Sequence, residues 1–585
     1  MRLRRPADAA VILATVAAQN PGDVDARKLF GLALRDSGDP VGAEREFAAA
    51  LALDPRQPEV CMALAGIVAA AGRFEEAVDR YRQALAFRPG YAPAVIGLAD
   101  VLVGLGRFED ALEITAPAAT AACRDLNIWT VHGAALKGLG RLDEAIAAYA
   151  RGTEIAPGSA VAEHNLGGAL GDAERFAESE QATQRALSKG LDAPETWLVH
   201  GRALMGQARL DEAESAFRQA IRRRPAYVDA HGELAQLIWM RTEDAAAACA
   251  ALDLAISVHP DEPALRLSKA RLLEYVGDLE GAYANLADLL ARSDGDAALH
   301  INASQIIAHA DPERALMHAE QAFSRAPDLL LAAQTLCAAN LAAGRAAEAA
   351  RIALGLRERV PLDQHVIGLL ATAWRLLGDP RYEELYDYQG LVSAQTIDTP
   401  NGWSSLGAYL ADLEQSLGRL HPLRTHPVGQ SLRHGTQTLQ GLDRLDDPVI
   451  RAFFSAIDGP IRRYMAGLGP GLDPMRSRNS GAYRFNGVWS VRLRPHGYHA
   501  DHLHPMGWIS SACYIALPAA IGRGKEGWIK FGQPGVPTLP PLEPEHYVQP
   551  ATGQLVLFPS YMWHGTVAFS GDEPRLTIAF DVIPE

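Results

Sequence analysis

A 34-residue spacing, kept through seven successive positions, constrains what this chain can fold into more than any other feature. Gly31, Ala65, Ala99, Gly133, Gly167, Gly201 and Ala235 recur at that interval. Twelve positions beyond each stands a second small residue: Ala43, Ala77, Ala111, Ala145, Ser179, Ala213 and Ala247. An aromatic often follows four residues later (Phe47, Tyr81, Tyr149, Phe217), and a proline tends to close the unit (Pro55, Pro89, Pro157, Pro225). Apolar residues between these marks keep helical spacing. The pattern describes a helix hairpin. Small residues let two antiparallel helices approach, the aromatic fills the groove, and proline ends the second helix because it cannot continue the hydrogen-bond ladder.

This pattern resembles the tetratricopeptide repeat, which shares the period and the small, aromatic and proline positions. After Ala235 the register slips by one to Ala270 and Ala282, then continues through Cys337, Gly344-Arg345 and Ala349. One period before the first repeat lie Ala9, Leu13 and Pro21. The apolar stretch behind Met1-Arg2-Leu3-Arg4-Arg5 therefore reads as the second helix of a half repeat, in preference to a secretory leader. Residues 1–380 are expected to form an α-solenoid. Such a groove offers an extended surface for a protein or peptide partner, an expectation by analogy of fold.

Composition excludes several alternatives. The 585 residues carry 55 Lys+Arg against 70 Asp+Glu, a net charge of −15, so general nucleic-acid binding is not expected. The five cysteines are scattered without a CxxC pair, which fits a reducing, cytoplasmic setting and argues against a disulfide framework or a thiolate zinc site. Apolar runs are too short for a membrane span.

Near residue 380 the alanine-rich pattern stops. Residues 381–480 read as a helical connector and the start of a second domain, with helices expected over 402–418 and 447–467, the latter entered through Asp446-Asp447-Pro448. From 481 to 585 period-2 alternation takes over. Strands are expected at 487–494, 508–517, 527–531, 554–559, 564–569 and 575–582, separated by Gly/Pro turns. Many short strands without intervening helices suggest a jelly roll. The fold class is thus multidomain α + β.

The chemistry-bearing residues sit on these strands. Pro495 to Pro505 contains His496, His499, Asp501, His502 and His504, and His564-Gly565 closes the run Gly553–Trp563. Imidazole and carboxylate ligands suit ferrous iron, and a third ligand from a distant strand can complete a facial set that leaves open positions. In the last strand Arg575 and Thr577 share a face, and a guanidinium fork pairs bidentately with a carboxylate. The turn Ser570-Gly571-Asp572-Glu573 is expected to bring Arg575 back beside the strand of His564. Arg492 and Arg494 are expected on a solvated face, Trp508, Trp528 and Trp563 in the core, and Cys513 inert in an apolar strand.

The order H-x-H-P, Gly507-Trp-Ile-Ser-Ser-Ala-Cys-Tyr-Ile, G-x-L-V-L-F-P-S-x-x-x-H and R-x-T-I-A-F resembles the 2-oxoglutarate/Fe(II)-dependent oxygenases, in particular a bacterial branch attached to tetratricopeptide repeats. The likeness covers about residues 480–585, with weaker similarity at His426-Pro427 and Gly435-Thr436-Gln437-Thr438. It implies a double-stranded β-helix, Fe(II), 2-oxoglutarate as cosubstrate and O₂. By position it implies His564 as distal ligand and Arg575, with Thr577 and Tyr514, as the cosubstrate site. The proximal pair stays open. His499 and Asp501 form a literal HxD, whereas His502 and His504 match H-x-H-P and are favoured. On a regular strand the two pairs would face opposite sides. The expected activity is hydroxylation of a protein or peptide recruited by the repeats. Two alternatives stand beside it: a repeat scaffold with a degenerate β-domain, and a cupin-type metalloenzyme without 2-oxoglutarate, for which the usual glutamate after H-x-H is missing.

Overall fold

The computed structural model describes residues 6–292 and 296–585; Met1 to Arg5 of the basic leading segment lie outside them. The chain forms two compact units, Met1–Ala203 and Leu204–Glu585.

The first unit is built of antiparallel helix pairs, among them Val24–Asp36 with Pro40–Leu53 and Ala160–Asp172 with Phe176–Ser188. Helix Pro6–Gln19 packs on the first of these through Ala9, Ala10 and Ala33. The small residues stand where helices approach. A Cβ on Gly31 would lie 2.6 Å from the ring of the fully buried Phe47, and one on Gly133 would lie 2.9 Å from that of Tyr149. At Gly167 the helices are also tied by Ser179 Oγ, which donates to the Gly167 carbonyl at 2.7 Å. The turn inside each pair needs a left-handed residue: Gly72, Gly106 and Gly140 have φ of +77°, +73° and +71°, a region that costs glycine nothing. Glu174 takes the same place at φ 56°.

In the second unit the pairing continues through Val228–Thr242 with Ala245–Val258, Pro263–Val276 with Leu279–Arg292, and Leu330–Ala342 with Ala346–Arg359. The shifted register is visible in Ala270, Ala282, Cys337 and Ala349, all at most 1% exposed. Helix Gln364–Leu377 ends the series and is apolar on most sides because its far face meets the sheets. A Cβ on Gly368 would lie 2.5 Å from Leu503 Cδ2, and Trp563 Nε1 donates to Gly368 O at 3.2 Å and Thr372 Oγ1 at 3.0 Å.

Among the described residues nine strands follow: β1 (Ser393–Thr396), β2 (Leu432–Gln437), β3 (Tyr483–His499), β4 (Ile509–Ala516), β5 (Ile529–Phe531), β6 (His546–Val548), β7 (Gln554–Pro559), β8 (His564–Thr566) and β9 (Arg575–Pro584). They form two antiparallel sheets, β1-β7-β4-β9-β3-β2 and β6-β5-β8. Helices Leu406–Gly418 and Pro448–Leu468 pack their apolar faces onto the larger sheet, the second entered through Asp447, whose carboxylate accepts from Val449 N and Ile450 N. The large sheet's core includes Trp508, Phe558 and Phe580, each at most 1% exposed.

The strand expected to lie beside β9 does not. β8 pairs with β5 in the small sheet, and β9 lies between β4 and β3 in the large one, which corrects the expected hairpin. The chain crosses between sheets, with Val567 N bonded to Trp528 O and Phe569 O accepting from His496 N. Arg575 and His564 therefore approach one space from opposite sheets.

Candidate metal centre

The strand carrying the first histidines alternates only over part of its length, with Val491 and Leu493 buried and Arg492 exposed. It stops at His499, and residues 500–508 leave strand geometry. The alternation rule thus does not reach Asp501, His502 or His504, and the regular strand on which the two pairs would face opposite sides ends before them. His499 and His502 both line one cavity of about 590 Å³ within the second unit, and their rings stack at 5.9 Å.

Backbone contacts bring three histidines together. His502 and His564 exchange both backbone hydrogen bonds at 2.9 Å, and His504 N donates to Ser560 O at 3.0 Å. Each ring then meets an acceptor at Nδ1: Ala500 O at 2.8 Å for His502, Met562 O at 2.9 Å for His564, and Asp581 Oδ2 at 2.7 Å for His504. An oxygen acceptor at Nδ1 places the proton there and leaves Nε2 with a free lone pair. The Nε2 atoms of His502 and His504 are 3.2 Å apart, and the ligand atoms of all three lie within 4.8 Å of one another. Among the described residues this is the only group of three such side chains. Burial and the neighbouring imidazoles push the pKa of His502 down to about 3 and that of His564 well below the ordinary value. Both of these rings are therefore neutral, as ligation requires. Converging lone pairs on neutral, pre-oriented imidazoles fit a divalent metal ion of the Fe(II) type.

The literal HxD is placed otherwise. Asp501 Oδ2 accepts from Lys530 Nζ at 2.8 Å, and burial raises its pKa while Lys530 opposes the rise. His499 Nδ1 meets Ser431 Oγ at 3.0 Å. The same hydroxyl lies 3.2 Å from His502 Nε2, a contact that sequence reasoning missed because Ser431 precedes the unanticipated strand β2.

Arg575 enters the cavity from β9. It is 2% exposed, stands over the Tyr514 ring at 5.0 Å, and has no acidic partner among the described residues. Its Nε and the Tyr514 hydroxyl are buried without a hydrogen-bond partner of good geometry. Burial lowers the Arg575 pKa and raises that of Tyr514. Thr577 lines the same cavity and its hydroxyl donates weakly to Val491 O at 3.4 Å. A buried guanidinium open to a cavity and lacking a counter-ion is suited to an anionic ligand.

The remaining residues fall into place around this centre. Trp489, unanticipated, stacks on His504 at 5.9 Å and 14°. Trp508 and Trp563 are core and Trp528 is half-buried, while Cys513 is fully buried with its thiol pKa pushed up. Arg492 is exposed, and Arg494, half-exposed, pairs with Glu243 at the C-terminal end of helix Val228–Thr242. His426 packs against Trp239 at 5.5 Å, outside the cavity lining. His496 is exposed.

Comparison with known proteins finds both kinds of segment. The family model described as "Putative 2OG-Fe(II) oxygenase" matches residues 487–581. Models described as "Tetratricopeptide repeat" match 1–67, 34–79, 68–131, 126–159 and 198–263. The chain thus carries tetratricopeptide repeats in its N-terminal region ahead of a segment, 487–581, that matches the model described as "Putative 2OG-Fe(II) oxygenase". No curated protein matches it. Similar solved structures include a thermophilic TPR protein of Thermus thermophilus, at 22% identity and TM-score 0.28, covering 32% of this chain and 100% of that one. The TPR protein YrrB is 17% identical at TM-score 0.27, covering 32% and 95%. The human IFIT1 dimer is 15% identical at 0.34, covering 65% and 93%.

Proposed function

We propose that this chain is a 2-oxoglutarate- and Fe(II)-dependent dioxygenase that hydroxylates a protein or peptide recruited by its repeats. The observation that carries the reading is one cavity holding two complementary halves: three imidazoles with converging Nε2 atoms, and a buried arginine without a counter-ion among the described residues. His502, His504 and His564 would hold Fe(II). Arg575 would take the distal carboxylate of 2-oxoglutarate through its fork, with Thr577 and Tyr514 beside it. Fe(II) supplies, with 2-oxoglutarate and O₂, the oxidation of an unactivated C–H bond, one oxygen atom going to product and the other to succinate as CO₂ leaves.

The chain's own residues orient and exclude. The Nδ1 partners lock the three rings, so no reorganisation is needed on binding. Trp489 and Phe558 wall the centre on the protein side, limiting water there. The same reading takes the two sheets as a double-stranded β-helix, residues 1–380 as the repeat region, 381–480 as connector and start of the oxygenase region, and 481–585 as the catalytic domain. Five cysteines free of disulfides support a reducing, cytoplasmic setting, and among the described residues no helix is long and apolar enough to cross a membrane.

Metal titration of full-length variants tests the ligand set. His504→Ala should lose Fe(II) binding, because two remaining ligands hold a labile ion poorly. Asp501→Ala should keep it, with at most about a 10–100-fold loss. The reverse outcome assigns the centre to His499 and Asp501.

A further inference from the structure

The metal-centre reading leaves one buried charge unexplained. Asp581 is 6% exposed, yet no lysine or arginine pairs with it among the described residues; its one ion-pair partner is His504. A buried carboxylate without a cation is costly, and it persists where something else supplies the positive charge. Asp581 is also held with care. Ser510, its cross-strand neighbour, donates Oγ–H to Oδ1 at 2.7 Å and is itself paired with Ser560 Oγ at 2.8 Å. Gly507 leaves room for this group: a Cβ there would lie 2.3 Å from Ser560 Oγ and 3.4 Å from Asp581 Cγ. The inner face of β9 thus lines the cavity with Arg575, Thr577, Ala579 and Asp581.

We propose that Asp581 is the counter-charge of the metal centre and a positioning residue for His504. Three neutral imidazoles bring no negative charge to a divalent cation, whereas a site with one carboxylate ligand brings one. Asp581 supplies that charge from behind His504. Its Oδ2 holds the proton on Nδ1, aims Nε2 at the ion, and makes the imidazole a stronger donor. Trp489, stacked on the ring, keeps it from rotating. The ion in turn provides the positive charge the buried carboxylate lacks.

The inference rests on the metal-centre reading, and one experiment separates the two. Full-length protein stripped of metal is titrated with Co(II), followed by visible absorbance, for wild type and Asp581→Asn, and the metal-free melting temperature is recorded in parallel. The asparagine keeps shape and an acceptor oxygen but loses the charge. The expected result is a dissociation constant raised about 10–100-fold. A lower metal-free melting temperature with unchanged Co(II) affinity would reduce Asp581 to a structural role and overturn the inference alone. Failure of the wild type to bind Co(II) would overturn the metal centre and the inference together. Should Asp581→Asn not fold, Ser510→Ala, which frees one carboxylate oxygen, should weaken Co(II) binding at the low end of that range, about tenfold; unchanged affinity there would equally count against it.

Discussion

Replacing Arg575 by methionine should stabilise the ligand-free protein while abolishing its response to 2-oxoglutarate. Arg575 is 2% exposed and lacks an acidic partner among the described residues, and its Nε has none either. Exchanging even a buried ion pair for apolar side chains of similar volume is neutral or gains about 1–4 kcal/mol, and an unpaired charge has no such attraction to lose. Against this stands the loss of the cation–π contact with Tyr514, at 5.0 Å, worth about 0.5–2 kcal/mol. A net gain on the order of 1 kcal/mol remains. Binding moves the other way. The fork would lose two hydrogen bonds to a carboxylate, each worth about 1.5–3 kcal/mol, so the apparent Michaelis constant for 2-oxoglutarate should rise by on the order of 100-fold or more. Thermal melts of both proteins, with Co(II) present and 2-oxoglutarate added or withheld, read both effects. A methionine variant that melts lower than wild type without 2-oxoglutarate, or that is still stabilised by it, would refute the idea of a buried charge kept for an anionic ligand.

Two further outcomes concern stability. Gly167→Leu should cost about 1–3 kcal/mol by overpacking, because a Cβ there already lies 2.8 Å from Thr183 Cγ2; an unchanged melting temperature would contradict the close helix approach. Burial lowers the pKa of His421 and His426 to about 4, so both are neutral in the folded chain and protonate near about 6.5 when unfolded. Their contribution is complete above about pH 6.5 and is lost as pH falls towards about 4, by at most on the order of 3 kcal/mol each. Urea midpoints should fall over that window, and less steeply in His421→Asn, which a pH-independent difference between the two proteins would contradict.

The repeat half is legible in the sequence because each hairpin is local: Gly31 meets Phe47 sixteen residues on, and the same pair type returns as Gly133 and Tyr149. The long strands are legible for other reasons: part of β3 alternates about Arg492, and β4, β7 and β9, buried at nearly every position, read as short runs bounded by Gly/Pro turns. Strands β1, β2 and β6 carry no such signal. β1 is four residues long and pairs with β7 from the other end of the domain, Ser393 against Leu557, and β2 is broken by a bulge at Arg433–Gly435. Missing β2 also hid Ser431 beside His499 and His502. Asp581 reads in sequence as one more residue of an apolar strand; its carboxylate meets its partners only in the fold, Ser510 on the neighbouring strand and His504 across the cavity. The wrong neighbour for β8 came from treating a short turn as a hairpin, where the chain instead passes from one sheet to the other.

Decarboxylation of 2-oxoglutarate tests the central claim most directly. Purified full-length protein, supplied with Fe(II), ascorbate, O₂ and 2-oxoglutarate, should form succinate, slowly without a substrate peptide and faster with one. Chelation of the metal, His564→Ala and Arg575→Met should each suppress it, while Asp501→Ala should leave it measurable. Succinate formation that survives loss of His564 or removal of iron would contradict the account, as would its absence from wild-type protein shown to bind both Fe(II) and 2-oxoglutarate.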